Sequence, residues 1–313
     1  MTQHHGTTGR IIPVERLQPG DHSCMDVTDR ASRWQVLTAF TRTGLARGEK
    51  VMLLLDPSDL NDEDAVACLD GGTGHMEAAL KSGQFVLDRN TSAYLPDGRF
   101  SKERQVRDFA AEAERAREAG YPRLRGAGDM GWAPRAGVAD DEVIDYEASL
   151  AELFADGYLT ALCCYDRQQC GDPLVAATRT VHPLQVMECL GGLEVTRAPG
   201  GGRRIAGSAE LGSREEFTRA LREALGPRPG RGSSRYELDL TDLVYMEAHC
   251  AWQLLDLVAG LPRKDTAVVR CGPMPATALR GLGSADVPQL ELHVADPQDT
   301  QDTGDTAEAE DVA

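Results

Sequence analysis

Gly44-Leu45-Ala46-Arg47-Gly48-Glu49-Lys50 runs directly into the apolar stretch Val51-Met52-Leu53-Leu54-Leu55. An unbroken apolar run bounded by a glycine turn reads as a strand buried on both faces, the signature of a central strand in an α/β sheet. Upstream, Trp34, Leu37, Phe40, Gly44 and Leu45 recur at helical spacing, so the glycines end a helix and turn the chain into the strand. Before that helix stands Pro19-Gly20-Asp21-His22-Ser23-Cys24, read as a polar, thiol-bearing turn. The order loop, helix, turn, central strand places this turn where open α/β folds bind ligands.

The chain has 313 residues, 41% apolar and 27% charged, a length that favours two domains. Its net charge of −17 opposes nonspecific attraction to nucleic acid or to an anionic membrane, since both need clustered cations. Residues 1–10 are expected to be flexible and 296–313, acidic and without a basic residue, a disordered solvated tail. No apolar run approaches the roughly 20 residues of a membrane span, and the first ten residues lack the apolar core of a signal peptide, so a cytoplasmic protein is expected. In that setting the eight cysteines are expected to be reduced thiols.

Strand and helix patterns alternate after Leu55. A polar stretch from Asp56 to Gly74 leads to a short helix near His75–Lys81, then a strand at Gln84–Leu87. Ser101 can cap a helix carrying Val106, Phe109, Ala113 and Ala116, which Gly120 and Pro122 end. A strand beginning at Arg123–Arg125 breaks into glycines through Gly126, Gly128 and Gly131. Val143–Phe154 reads as a helix, Leu159–Tyr165 as a buried strand ending in Asp166, and Leu174–Thr180 as a helix stopped by His182-Pro183. A P-loop, which cradles phosphate with glycine amides and a Lys-Ser or Lys-Thr ending, is missing: Lys50 precedes the strand and no hydroxyl residue follows it.

His22-x-Cys24, Gly44-Leu45-x-x-Gly48-Glu49, Met130-x-Trp132, Tyr146-Glu147, Cys163-x-Tyr165-Asp166 and the closing His182-Pro183 follow one another in an order that resembles the MEDS sensory domain. The resemblance covers residues 11–187 and implies a RecA-like sheet domain without nucleotide hydrolysis. It also implies a small organic ligand, a simple hydrocarbon derivative, with His22, Cys24, Glu49, Trp132, Glu147, Tyr165, Asp166 and His182 as site residues.

From Leu193 a second pattern begins. Leu193–Thr196 and Arg203–Ala206 read as a hairpin, and Ser213-Arg214-Glu215-Glu216 as a capping box opening a helix with Phe217, Ala220, Leu221 and Leu225. Strand Tyr236–Leu240, a further short strand at Tyr245–Glu247, a helix with Trp252, Leu255 and Val258, strand Ala267–Arg270, a helix near Ala276–Leu282 and strand Gln289–Val294 complete it. With Glu210-Leu-Gly-Ser and Asp239-Leu-Thr-Asp-Leu-Val at their places, residues 191–295 resemble a STAS domain, the fold of anti-sigma-factor antagonists. The resemblance implies a regulatory protein partner of the anti-sigma-factor, serine-kinase-fold type. At the family's switch serine this chain has Glu247-Ala248-His249-Cys250, so no phosphorylatable hydroxyl stands there.

The expectation is an α/β protein with a RecA-like domain followed by a smaller STAS-like one, a signal-transduction regulator that senses with the first and binds protein with the second. Neither a cofactor nor a metal is assigned, and no enzymatic activity. Two alternatives stand beside it. His22 and Cys24, with Cys163, Cys164 and His182 converging at neighbouring strand ends, would suit a metal, haem or thiol redox sensor. Cys24 or Cys164 with a histidine and Asp166 would suit an enzyme of unknown substrate, although the nucleophile-elbow pattern Gly-x-Ser-x-Gly is missing.

Overall fold

The computed structural model describes residues 10–198, 201–226 and 232–295. The expected flexible start and acidic tail, and residues 199–200 and 227–231, lie outside the described residues, except that Arg10 already begins the first strand. The chain divides into two compact units, one up to Leu190 and one from Gly191.

The first unit contains β1 (Arg10–Ile12), β2 (His22–Val27), α1 (Arg30–Ala46), β3 (Lys50–Leu55), α2 (Asp62–Asp70), α3 (His75–Ser82), β4 (Phe85–Arg89), α4 (Asn90–Tyr94) and α5 (Lys102–Glu118). It continues with β5 (Leu124–Asp129), α6 (Trp132–Arg135), α7 (Asp140–Ser149), α8 (Ala151–Phe154), β6 (Leu159–Asp166), α9 (Arg167–Val181) and β7 (Leu184–Val186). The seven strands form one sheet in the order β1-β7-β2-β6-β5-β3-β4. Every pair is parallel. Helices cover both faces, the doubly wound arrangement that near-continuous apolar strands such as β3 require.

One face of the sheet packs Met25, Val27, Leu53 and Leu162 with Trp34, Leu37 and Phe40 of α1. The other packs Cys24, Leu54, Cys163 and Tyr165 with α7, α8 and α9, through Tyr146, Phe154, Leu174 and Val175. The neighbours β2 and β6 send their connections across opposite faces, α1 on the first and α9 on the second, so their carboxyl ends form the topological switch point.

Three local expectations are corrected. His22-Ser23-Cys24 is the start of β2 and not a turn; the turn ends at Asp21, whose carboxylate accepts the Gln18 N–H at 2.6 Å. Gly126 and Gly128 do not break β5, which runs to Asp129. A Cβ at Gly128 would lie 3.0 Å from the Tyr94 hydroxyl, so the glycine admits an aromatic side chain against the strand. The Asp56–Gly74 stretch holds α2, capped by Asn61, whose side chain accepts the Asp64 N–H. Within α9, Gly171 leaves helical geometry (φ 71°, ψ 155°), and Pro173 opens the straight segment that ends at His182.

The second unit contains β8 (Leu193–Arg197), β9 (Arg203–Ala209), α10 (Arg214–Ala224), β10 (Arg235–Leu240), β11 (Leu243–Met246), α11 (Ala248–Ala259), β12 (Thr266–Cys271), α12 (Pro273–Gly281) and β13 (Leu290–Val294). The sheet runs β11-β9-β10-β12-β13, with β8 antiparallel to β9 and the other pairs parallel. Phe217, Leu221, Leu238, Leu254, Val258, Val269 and Leu279 are among the side chains that fill its core. The expected capping box does not form: Ser213 Oγ instead donates to the Ser208 carbonyl at 2.5 Å and accepts the Glu210 N–H, tying the β9–α10 loop to itself.

Candidate functional site

At the switch point, a groove of about 260 Å³ is lined by Thr28, Arg30, Arg33, Asp56, Asp59, Asp166 and Gln169, among others. Here a phosphate-binding loop would present free amides. Instead, the Thr28 and Asp29 N–H groups both donate to one carboxylate oxygen of Glu188, at 2.5 and 2.6 Å, and Thr28 Oγ1 donates to its other oxygen at 2.7 Å. Asp29 itself caps α1 through the Ser32 N–H. Arg33 is buried between Asp59 and Asp129, with 2.7 Å to Asp129. Burial raises the Asp129 pKa despite that arginine. An acidic groove in which the amides leading into α1 are already bonded to a carboxylate is poorly disposed to a phosphate.

A second cluster lies on the face of the sheet under α7 and α9. In β2 and β6 alternate residues share a face, so His22 and Cys24 of β2 lie beside Ala161 and Cys163 of β6. Glu147 of α7 reaches down onto them, and His182, at the end of α9, closes the group. Glu147 Oε2 lies 3.2 Å from His22 Nε2, 3.4 Å from His182 Nε2 and 3.7 Å from Cys163 Sγ. The Tyr165 hydroxyl donates to the other carboxylate oxygen, Oε1. Phe154 stacks on the His22 ring, with centroids 4.5 Å apart and ring planes nearly parallel. All four of His22, Glu147, Cys163 and His182 are buried.

The electrostatics follow from this packing. Burial opposes the Glu147 charge, but the facing His182 and His22 outweigh it and hold the carboxyl below the ordinary carboxylate range. Burial pushes the His22 pKa down against its bond to Glu147, and burial with the nearby Glu147 charge pushes the Cys163 thiol well up. His182 Nδ1 is 2.9 Å from the Thr178 carbonyl oxygen, an acceptor only, so Nδ1 carries a proton.

Beside the cluster, a cavity of about 30 Å³ is lined almost wholly by apolar groups, including Met52, Leu54, Tyr94, Tyr146, Phe154 and Cys163. Space of this order admits a molecule of a few heavy atoms. Haem, one of the alternatives above, is far too large for it.

The structure therefore brings together His22, Glu147, Tyr165 and His182 and adds Cys163. Cys24 is on the same face but outside the four-residue group. It is fully buried, and burial first, with the Asp26 charge, pushes its thiol up to about 12. Cys164 points to the opposite face. Glu49 belongs elsewhere, in a buried ion pair with Arg125 at 2.6 Å. Trp132 stacks on Tyr94 (4.5 Å) and meets Phe100 at a tilt (4.9 Å) in the adjoining aromatic layer without lining the cavity. Asp166 caps α9 at the switch-point groove.

Nor does the cluster form a nucleophile triad. Cys163 Sγ is 3.8 Å from His22 Nε2, but Glu147 bonds that same nitrogen, where a triad needs the acid on the opposite one.

In the second unit, Glu247 precedes α11 and pairs with Arg214 at 2.7 Å, while Cys250 is buried and its thiol faces Glu247 at 3.6 Å. Ala248 and His249 are exposed on the first turn, with Tyr245 and Trp252 also exposed, and the His249 and Trp252 rings are 6.1 Å apart.

Residues 21–183 match the family model of MEDS, described as the MEthanogen/methylotroph, DcmR Sensory domain. That is more than half of the chain. The protein belongs to the MEDS family. Membership gives the chain a sensory domain and a signalling or sensing role, and all five clustered residues lie within the MEDS match. The flagellar accessory protein FlaH from Methanocaldococcus jannaschii is similar at 10% identity over 61% of this chain and 80% of that one, with a TM-score of 0.38, too low to bear on function. No curated protein matches. Among the described residues no helix is long and apolar enough to cross a membrane.

Sequence reading left out of the site Phe154, Arg33, Asp59 and Glu188. Only Glu188 carried a local signal, as an acid in the connection to the second unit. The others depend on contacts between distant segments.

Proposed function

We propose that this MEDS protein is a cytoplasmic signal-transduction regulator: the first unit binds a small organic molecule at the buried cluster, and the second binds a regulatory protein. The observation that carries the sensing half is the apolar cavity lined by Cys163, a member of the buried cluster, and by Phe154, which stacks on His22, with few polar groups to fix orientation. A short-chain hydrocarbon derivative is the ligand class of that size and polarity. The cluster supports binding and not turnover, because its thiol is protonated and lacks a correctly placed base.

For the second half, the order hairpin, α10, β10-β11, α11, β12, α12, β13 supports a STAS-like reading. Its partner would be an anti-sigma factor or related serine-kinase-fold regulator. The exposed Tyr245, His249 and Trp252 beside Glu247 offer the surface, and the absence of a switch hydroxyl at 247–250 makes control by ligand, not by phosphorylation there, the consistent mechanism. A ligand can shift output only through unequal affinity for two states of the chain.

Thermal-shift titration of the full chain against short-chain alcohols, methylamines and haloalkanes tests the sensing half, with Glu147→Gln as the variant that should lose the response. A panel that leaves wild type and variant indistinguishable overturns it. Binding to a purified serine-kinase-fold anti-sigma factor that survives both His249→Ala and Trp252→Ala would overturn the assignment of the surface.

A further inference from the structure

We propose that His22 Nε2, Glu147 Oε2, Cys163 Sγ and His182 Nε2 bind one divalent transition-metal ion in tetrahedral coordination, with zinc the ion that this donor set suits best. The metal stands on geometry alone; only its part in sensing rests on the function proposed above.

Spacing is the first argument. Zinc bonds of about 2.0 Å to nitrogen and oxygen and about 2.3 Å to sulfur put tetrahedral donors about 3.3–3.7 Å apart. The separations are 3.2 Å and 3.4 Å from Glu147 Oε2 to the two imidazoles, 3.7 Å from Cys163 Sγ to that oxygen and 3.8 Å from Cys163 Sγ to His22 Nε2. All four donor atoms lie within 4.8 Å of one another.

The surroundings are the second argument. With Nδ1–H donating to Thr178, His182 turns Nε2 inward, where it is buried and makes no hydrogen bond. Glu147 is likewise held at Oε1 by Tyr165, leaving Oε2 for the centre. A ligating histidine whose other nitrogen is bonded to a carbonyl, and a ligating carboxylate steadied by a hydroxyl, are the outer partners that metal sites use. Phe154 fixes the His22 plane by stacking.

Charge is the third. Two neutral imidazoles, one carboxylate and one thiolate sum to −2, which a divalent ion cancels in a site closed to water. Binding is balanced by the Cys163 S–H proton leaving to solvent as the metal–sulfur bond forms. No electron is transferred.

The test loads purified full-length protein with Zn²⁺, or with Co²⁺ as a spectroscopic probe, removes excess ion and measures metal by mass spectrometry. Roughly one ion per chain is expected, and the Co²⁺ form should show intense tetrahedral ligand-field bands and a thiolate-to-cobalt charge-transfer band. Cys163→Ser should abolish that charge-transfer band, while Cys24→Ser should keep it. Tyr165→Phe should weaken binding about 10–100-fold as an outer-partner change. Circular dichroism confirms that each variant is folded. Folded wild type that takes up neither ion, or a charge-transfer band that survives Cys163→Ser, overturns the proposal. The two readings fail separately: a loaded protein deaf to organic ligands keeps the metal and loses the sensing, and a ligand response in metal-free protein does the reverse.

Discussion

Gly44→Ala tests whether the opening glycine motif is a packing device or only a helix end. Gly44 lies inside α1, and an alanine in a helix interior should add about 1 kcal/mol of stability over glycine. The tertiary surroundings oppose this. A Cβ there would stand 2.6 Å from Val51 Cγ2 and 2.8 Å from Arg125 Cδ. Neither neighbour can yield easily. Val51 is fully buried in a strand paired on both sides, and Arg125, also fully buried, is bonded to Glu49 at 2.6 Å and lies over the Phe40 ring at 4.8 Å. Overpacking costs about 1–3 kcal/mol, and loosening a charge-assisted hydrogen bond costs about 1.5–3 kcal/mol more. Against the propensity gain, the net loss should be about 1.5–5 kcal/mol. For a unit of this size that lowers Tm by about 2–4 °C per kcal/mol. Urea unfolding followed by tryptophan fluorescence in a Trp252→Phe background reports the first unit through Trp34 and Trp132. A Gly44→Ala protein as stable as its parent would refute the reasoning, because helix propensity would then dominate and the α1–β3–β5 contact would be slack.

Two further outcomes follow from the same structure. Of the eight thiols only Cys68 and Cys189 are exposed, and burial pushes Cys24 and Cys164 up to about 12, so an aromatic disulfide reagent at neutral pH should titrate two thiols quickly and the other six only after denaturation; fast labelling of Cys24 would refute this and favour the thiol redox sensor. Glu188→Ala frees the Thr28 and Asp29 amides and should lower stability by about 1 kcal/mol, the usual worth of a helix cap, without conferring nucleotide binding; an unchanged urea midpoint would show the contact to be idle.

Much of the sheet was legible because parallel strands advertise themselves. Val51–Leu55 and Leu159–Tyr165 are buried on both faces, and only apolar runs survive there. α2 was not legible: it buries only Ala65 and Leu69, too few apolar positions to set a helical period in so acidic a stretch. At the site, the family resemblance named His22, Glu147, Tyr165 and His182 together with Cys24, and nothing in the sequence preferred Cys163 to Cys24. Both face the same side, and the choice depends on where Glu147 descends from α7, a matter of packing and not of pattern. Glu49 misled for the opposite reason. Its place in the family motif implied a pocket, whereas its partner, Arg125, lies 76 residues away and neutralises it in the core.

The position of His182 bears on how a buried site can act at a distance along the chain. It ends α9, and Pro183 and the short strand β7 follow at once; Glu188 then binds the start of α1, and the second unit begins at Gly191. Anything that draws His182 Nε2 toward Glu147 therefore acts on a segment anchored at both ends, by the Thr178 carbonyl on one side and by the Thr28–Asp29 amides on the other. A flexible linker would dissipate such a displacement, whereas a parallel strand paired with both β1 and β2 transmits it or resists it as a unit. Coupling by this route requires that occupied and empty clusters favour different placements of β7. If Glu188→Ala cut the link between ligand binding and partner binding while leaving each affinity intact, the connection itself would be the transmitting element; if coupling survived, the signal would have to leave the cluster through α7 or β6 instead.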